Sequence, residues 1–165
     1  MNAAGPCGES ATVGVMPSVS PDPGKVLAAL NEQLAAVGEP AYDGPHDLAR
    51  LRLACVAAVQ RAFDAGARPK RGAARVAVRH LLDRLAETTP GHAVEVRVPP
   101  YAAVQCVEGP RHTRGTPPNV VEMEAVTWLA LATGRTTWGE ETAAGRISAS
   151  GNRADLSPYL PLDAG

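Results

Sequence analysis

The chain has 165 residues and a mass of 17.1 kDa, the length of one domain of ordinary size. With 45% hydrophobic and 20% charged residues, it has a globular composition and is not disordered throughout. No stretch approaches the roughly 20 uninterrupted apolar residues of a membrane helix. The opening MNAAGPCGESATVGVMPSV has neither the basic start nor the apolar run of a secretory signal.

The net charge of −1 hides an uneven spread. Residues 50–84 hold nine Lys and Arg against Asp64 and Asp83, whereas both flanking segments are net acidic. A basic stretch of this kind suits nucleic acid or an anionic surface. It equally suits a solvated helix face paired with its own acidic flanks, which is the reading preferred here. Few aromatic side chains stand nearby to stack on bases, so no nucleic-acid partner is expected. The three cysteines, Cys7, Cys55 and Cys106, form neither a C-x-x-C pair nor a disulfide framework, which fits a reducing cytoplasm.

Residues 1–21 read as a loose tail rich in Gly, Pro, Ser and Ala. The first helix starts near Pro23, with Asp22 as cap and proline at a position that needs no N–H partner. Val26, Leu27, Leu30, Leu34 and Val37 share one face, and Gly38 suits a left-handed stop. A second helix spans roughly His46 to Ala65, with Leu48, Leu51, Cys55, Val59 and Phe63 as its stripe. A third runs from about Gly72 to Glu87 on Val78, Leu81, Leu82 and Leu85. Pro90-Gly91 forces a turn.

The period then changes from helical to alternating. HAVEVRV (92–98) places Val94, Val96 and Val98 on one face and Glu95 and Arg97 on the other, as in a half-buried strand. AAVQCV (102–107) is a second strand, with Ala102, Val104 and Cys106 on one face. The two form an antiparallel hairpin across Pro99-Pro100. EGPRHTRGTPPN (108–119) is a long polar loop, and NVVEME (119–124) is a third short strand. Ala125–Thr133 reads as a helix closed by Gly134. Thr137 and Glu140 have the spacing of a capping box for a short helix to Ala144. RISAS (146–150) alternates again, with Ile147 and Ala149 directed inward. Leu156, Tyr159, Leu160 and Leu162 supply a C-terminal cover for an apolar edge.

Helices followed by clustered strands argue for an α+β fold with a mostly antiparallel or mixed sheet. A helical part (22–90) and a sheet region (91–165) make one compact domain over 22–165.

For chemistry, the polar loop stands out. Arg111, His112 and Arg114 lie together among Gly109, Pro110, Gly115, Pro117 and Pro118, and two guanidiniums with an imidazole can hold a carboxylate or phosphate. The alternative is a rigid loop whose arginines bond its own carbonyls or Glu108 and Glu122. Cys106 with His112 has no known nucleophile spacing, and Cys106 alternates toward the core as a buried thiol does. His46, His80, His92 and His112 lack metal-ligand spacing, and there is no phosphate-binding Gly-rich motif or serine elbow. No catalytic residue, metal or cofactor is therefore expected. Trp128 and Trp138 are the largest apolar surfaces available to line a cavity.

From Gly91 onward the chain resembles the bacterial orthologues of sterol carrier protein, in an actinobacterial-type branch. The resemblance is carried by VEVRVPPYAAVQCVEGPRHTRGTPPNVVE (94–122), TWLALATGR (127–135) and GRISASGNRADLSPYLPL (145–162). It implies a curved sheet of about five strands covered by helices. It also implies a non-enzymatic binding or carrier role for an apolar or acyl small molecule in an apolar tunnel. The cavity wall is then expected from Val94, Val96, Val98, Val104, Trp128, Leu129, Trp138 and Ile147, with Arg111, His112 and Arg114 pairing an anionic head. A related domain occurs in mycothiol-dependent maleylpyruvate isomerases beside a metal-binding helical bundle. The helices here lack that His/Glu set, so isomerase activity does not carry over. The alternative is an accessory subunit, or a small enzyme linked to a thiol cofactor, that presents the Arg/His loop to a protein partner.

Overall fold

The computed structural model describes residues 21–109 and 118–162. The expected tail, apart from Pro21, and residues 110–117 of the polar loop lie outside the described residues. Among these, the elements follow as α1 (Pro23–Ala36), α2 (Leu48–Asp64), α3 (Arg71–Thr88), β1 (Val94–Val98), β2 (Ala102–Cys106), β3 (Val120–Met123), α4 (Ala125–Ala132), α5 (Trp138–Ala143) and β4 (Ile147–Ser150), then a 3-10 turn at Ser157–Tyr159.

Local chemistry sets the helix ends. The Asp22 carboxylate accepts the Lys25 N–H at 3.3 Å, and Asp47 accepts that of Arg50 at 3.0 Å. Each satisfies one of the amides that an α-helix leaves without a partner at its start. Asp47 therefore starts α2 two residues after the expected His46. At the other end of α1, Gly38 takes a φ of +76°. The Glu39 N–H then reaches the Leu34 carbonyl at 2.9 Å, and the Gly38 N–H that of Ala35 at 3.2 Å, which is the paired Schellman closure. Helices α2, α4 and α5 close the same way at Gly66, Gly134 and Gly145. Helix α3 has no side-chain cap of its own. Its first amide partner comes from α1, where the buried Gln33 accepts the Lys70 N–H at 2.6 Å.

The sheet is mixed, open and four-stranded among the described residues, in the order β2-β1-β3-β4, against an expectation of about five strands. β1 and β2 pair antiparallel as the expected hairpin. Its turn is closed by the Tyr101 N–H on the Val98 carbonyl at 3.0 Å. β3 joins β1 in parallel, and β4 joins β3 antiparallel.

One row across the sheet shows how its inner face is covered. Val104, Val96, Val121 and Ala149 are successive partners from β2 to β4. Val96 and Val121 are fully buried, Val104 is half-buried and Ala149 is exposed. The neighbouring pair, Met123 and Ile147, runs from buried to half-buried. The expected inward alternation of β4 is thus present in the register, but the helical cover stops before it reaches Ala149. Under that cover, Leu30, Leu51, Leu82, Leu85, Trp128, Leu129, Leu131 and Leu156 are fully buried. The C-terminal segment closes one side, with Leu156 and Leu162 buried and the Leu162 N–H on the Ala132 carbonyl at 3.0 Å.

Candidate functional site

The residues expected to line a cavity divide into two groups. Val94, Val96, Val98, Trp128 and Leu129 are fully buried within the core cluster, whereas Val104, Trp138 and Ile147 are half-buried at its margin. The interior positions are buried side chains of one core cluster. Space opens instead at the margin. A cleft of about 530 Å³ lies where β3 and β4 meet the start of α4 and the end of α5. Met123 and Ile147 give it apolar surface, Pro99 and Thr127 border it, and Glu122, Glu124 and Arg146 supply its charges. Its volume falls in the range of small-molecule sites, roughly 300–1,000 Å³. Of the expected cavity residues, Ile147 lines it; Val94, Val96, Val98 and Trp128 do not.

Beside this cleft lies a feature that the sequence reading missed. Glu141 on α5 is 5% exposed. Its carboxylate accepts from both Nε and Nη2 of Arg146 and from the Thr136 hydroxyl at 2.8 Å. The Arg146 bonds, more than any other cause, hold the carboxyl down at about 2 against the opposing effect of burial. The Thr127 hydroxyl on α4 contributes in the same direction. One carboxylate thus ties α4, α5 and the residue before β4 together. The neighbouring capping box is formed as its spacing indicates. The Thr137 hydroxyl accepts the Glu140 N–H at 3.3 Å, and the Glu140 carboxylate accepts the Thr137 N–H at 2.8 Å. The available signal for Glu141 was Arg146 five residues on, brought back over it by the Gly145 stop.

The polar-loop residues Arg111, His112 and Arg114 lie outside the described residues. The described ends of that loop are held firmly. Buried Asn119 donates to the Ala93 carbonyl at 2.7 Å and accepts the Arg153 N–H at 2.9 Å. The Arg153 guanidinium bonds the Glu108 carbonyl at 3.0 Å. These anchors stand at the end of the sheet where β1 begins, since Glu95 is the partner of Val120. The cleft is at the opposite end of β3, beyond Met123.

Both described cysteines are buried and free. Burial pushes the Cys106 thiol up to about 11 and the Cys55 thiol up to about 12, so both stay protonated at neutral pH. His92 is engaged with Gln105, its Nδ1 2.7 Å from Oε1. In the basic stretch, Arg61 makes a two-pronged pair with Glu39 in the acidic flank, and Arg79 pairs with Asp83. Arg61 thus follows the reading of a face paired with its acidic flank, whereas Arg79 pairs within the stretch itself. Among the described residues, no helix is long and apolar enough to cross a membrane.

A family model described as bacterial SCP ortholog matches residues 70–162. The match begins just before α3 and ends with the C-terminal segment. No curated protein matches the chain.

Proposed function

This chain belongs to the family of bacterial SCP orthologs, and from that premise we propose that it is a non-enzymatic binding or carrier protein for an apolar or acyl small molecule. The observation that carries this reading is the apolar inner face of the sheet. It emerges from under the helices at half-buried Ile147, next to buried Met123, onto the cleft of about 530 Å³. Apolar surface left wet in a concave site gains free energy when a ligand covers it, at about 25 cal/mol per Å². In this reading the ligand enters beside Ile147. A longer chain makes room for itself by parting Val104 and Trp138 from the packed wall of Val94, Val96, Val98, Trp128 and Leu129. The protein works in the cytoplasm, where thiols such as Cys55 and Cys106 stay reduced.

Arg111, His112 and Arg114 are assigned to the head group of ligands that carry one. Replacing Arg111 and Arg114 with alanine is then expected to weaken an acyl carboxylate about tenfold more than its methyl ester, the loss of one good charge-assisted contact. Equal weakening of both removes the head-group role.

Native mass spectrometry of freshly purified protein, compared with the same sample denatured, tests the carrier reading. Extra mass that leaves on denaturation and extracts into organic solvent is the expected result. Bare protein, with no thermal shift against a panel of acyl ligands, overturns it. That outcome favours an accessory subunit that presents its Arg/His loop to a protein partner.

A further inference from the structure

A second concave site lies away from the β3–β4 cleft, on the other side of the hairpin turn. Arg75, Arg79 and Asp83 recur at every fourth residue of α3, and Val76 and His80 form the adjacent row. This spacing puts all five on one face of the helix. Opposite them stand Arg52 on α2 and Tyr101 on the turn, enclosing a pocket of about 310 Å³. Asp83 engages Arg79 at 2.8 Å. Among the described residues, Arg52 and Arg75 make no ion pair. The His80 Nε2 is buried without a hydrogen-bond partner.

Two features of this arrangement carry a cost, and the first is eased only in part by the Arg79–Asp83 pair. Like charges four apart on one helix face repel, as Arg75 and Arg79 do, and Arg52 adds a third cation across the pocket. A buried ring nitrogen with no partner forfeits its hydration for nothing in return. An anion in the pocket relieves the first; the His80 Nε2 is closed to solvent and is not reached from the pocket. Burial, above all, and then the neighbouring Arg52 and Arg84 hold the His80 imidazole below its ordinary range, with Asp83 opposing them. Among the charged side chains that line the pocket, the three guanidiniums of Arg52, Arg75 and Arg79 exceed the one carboxylate, Asp83, by two. That surplus matches a dianion. Guanidiniums bind phosphoryl oxygens in planar, two-pronged contacts. Val76 and the Tyr101 ring leave an apolar wall for the organic part of an ester.

We propose that the pocket between α2, α3 and the β1–β2 turn binds a phosphoryl dianion, held by Arg52, Arg75 and Arg79, with the His80 ring as part of its wall. The ligand is a phosphate monoester, either a small soluble one or the headgroup of a monoester phospholipid. This site does not rest on the carrier reading, and it holds or fails whether or not the β3–β4 cleft takes an apolar ligand.

Isothermal titration with glycerol 3-phosphate, and sedimentation with vesicles containing phosphatidic acid or phosphatidylglycerol, separate the two sources. Saturable one-to-one binding of the soluble ester supports the first. Retention on phosphatidic acid but not on phosphatidylglycerol, without binding of the soluble ester, supports the second. In either case R52Q/R75Q is expected to weaken binding about tenfold or more, the worth of charge-assisted hydrogen bonds. R68Q, an exposed arginine outside the pocket, is expected to leave binding unchanged. Should the double variant fail to fold, the ring-proton NMR signals of His80 in the unaltered protein decide the matter. They shift on titration if the pocket is filled and stay fixed if it is not. The proposal is overturned if neither ligand binds, or if R68Q weakens binding as much as the double variant.

Discussion

Glu141 is the side chain on which the wall of the β3–β4 cleft depends. It gathers Arg146, Thr136 and Thr127 onto one buried carboxylate. Alanine in its place leaves those donors without their acceptor, which costs about 1–3 kcal/mol. The Arg146 side chain is 54% exposed and recovers part of its hydration, which places the loss toward the lower end. Urea denaturation of E141A against the unaltered protein measures it. The pH dependence has a definite sign. The folded carboxyl sits at about 2 and the unfolded one near its ordinary 4.5, so on acidification the unfolded chain takes up the proton first. The contribution is complete above about 4.5 and is lost as the pH falls toward 2. In E141Q the stability curve is expected to be flatter over that window. If E141Q and the unaltered protein lose stability in parallel, the carboxylate is not the group being titrated.

At the scale of elements, the same glycine closure ends four of the helices, and it makes a clean prediction. Gly66 has a φ of +67°, and a Cβ there meets nothing within 4 Å. G66A therefore carries a conformational cost alone, about 1 kcal/mol, or about 2–4 °C in Tm for a chain of this size. Gly139, inside α5, also has open space around a Cβ but no positive φ. G139A is expected to raise the melting temperature slightly through helix propensity. Opposite signs for one substitution, read in parallel melts, check that backbone conformation is the cause. These stops were legible in the sequence, as were the Asp22 cap, the Thr137–Glu140 box and the alternation of β1, because each is written in a few adjacent residues. The parallel pairing of β3 on β1 was not, since register between distant strands leaves no local mark. The extent of cover was equally hidden. Ala149 alternates like a buried residue, yet it is exposed because no helix reaches it. Gln33, which reads as one more polar residue of α1, is buried because its partner is the amide of Lys70.

Across the whole molecule, the turn Val98–Tyr101 separates two sites of opposite charge. Pro99 borders the β3–β4 cleft, and Tyr101 borders the basic pocket. In the cleft, Arg146 is already neutralised by Glu141, so the exposed carboxylates of Glu122 and Glu124 set the field. An apolar ligand that ends in a carboxylate meets two like charges there, whereas its methyl ester meets none. Each exposed charge at this range is worth about 0.5 kcal/mol, so E122Q/E124Q is expected to tighten a fatty-acid anion about fivefold. The methyl ester is expected to bind the double variant and the unaltered protein alike. Raising the salt to about 0.5 M shortens the screening length toward a few ångströms and is expected to remove most of the difference. Fluorescence displacement titrations with the acid and ester, at low and high salt, supply the four comparisons. If acid and ester change together, the substitutions have altered the apolar surface at Met123 and Ile147 rather than the field, and the acidic rim plays no part in selecting ligands. If only the acid responds and salt abolishes the response, the cleft discriminates by charge. The acidic rim then turns a carboxylate head away from this mouth of the cleft, which leaves the head group to Arg111, His112 and Arg114.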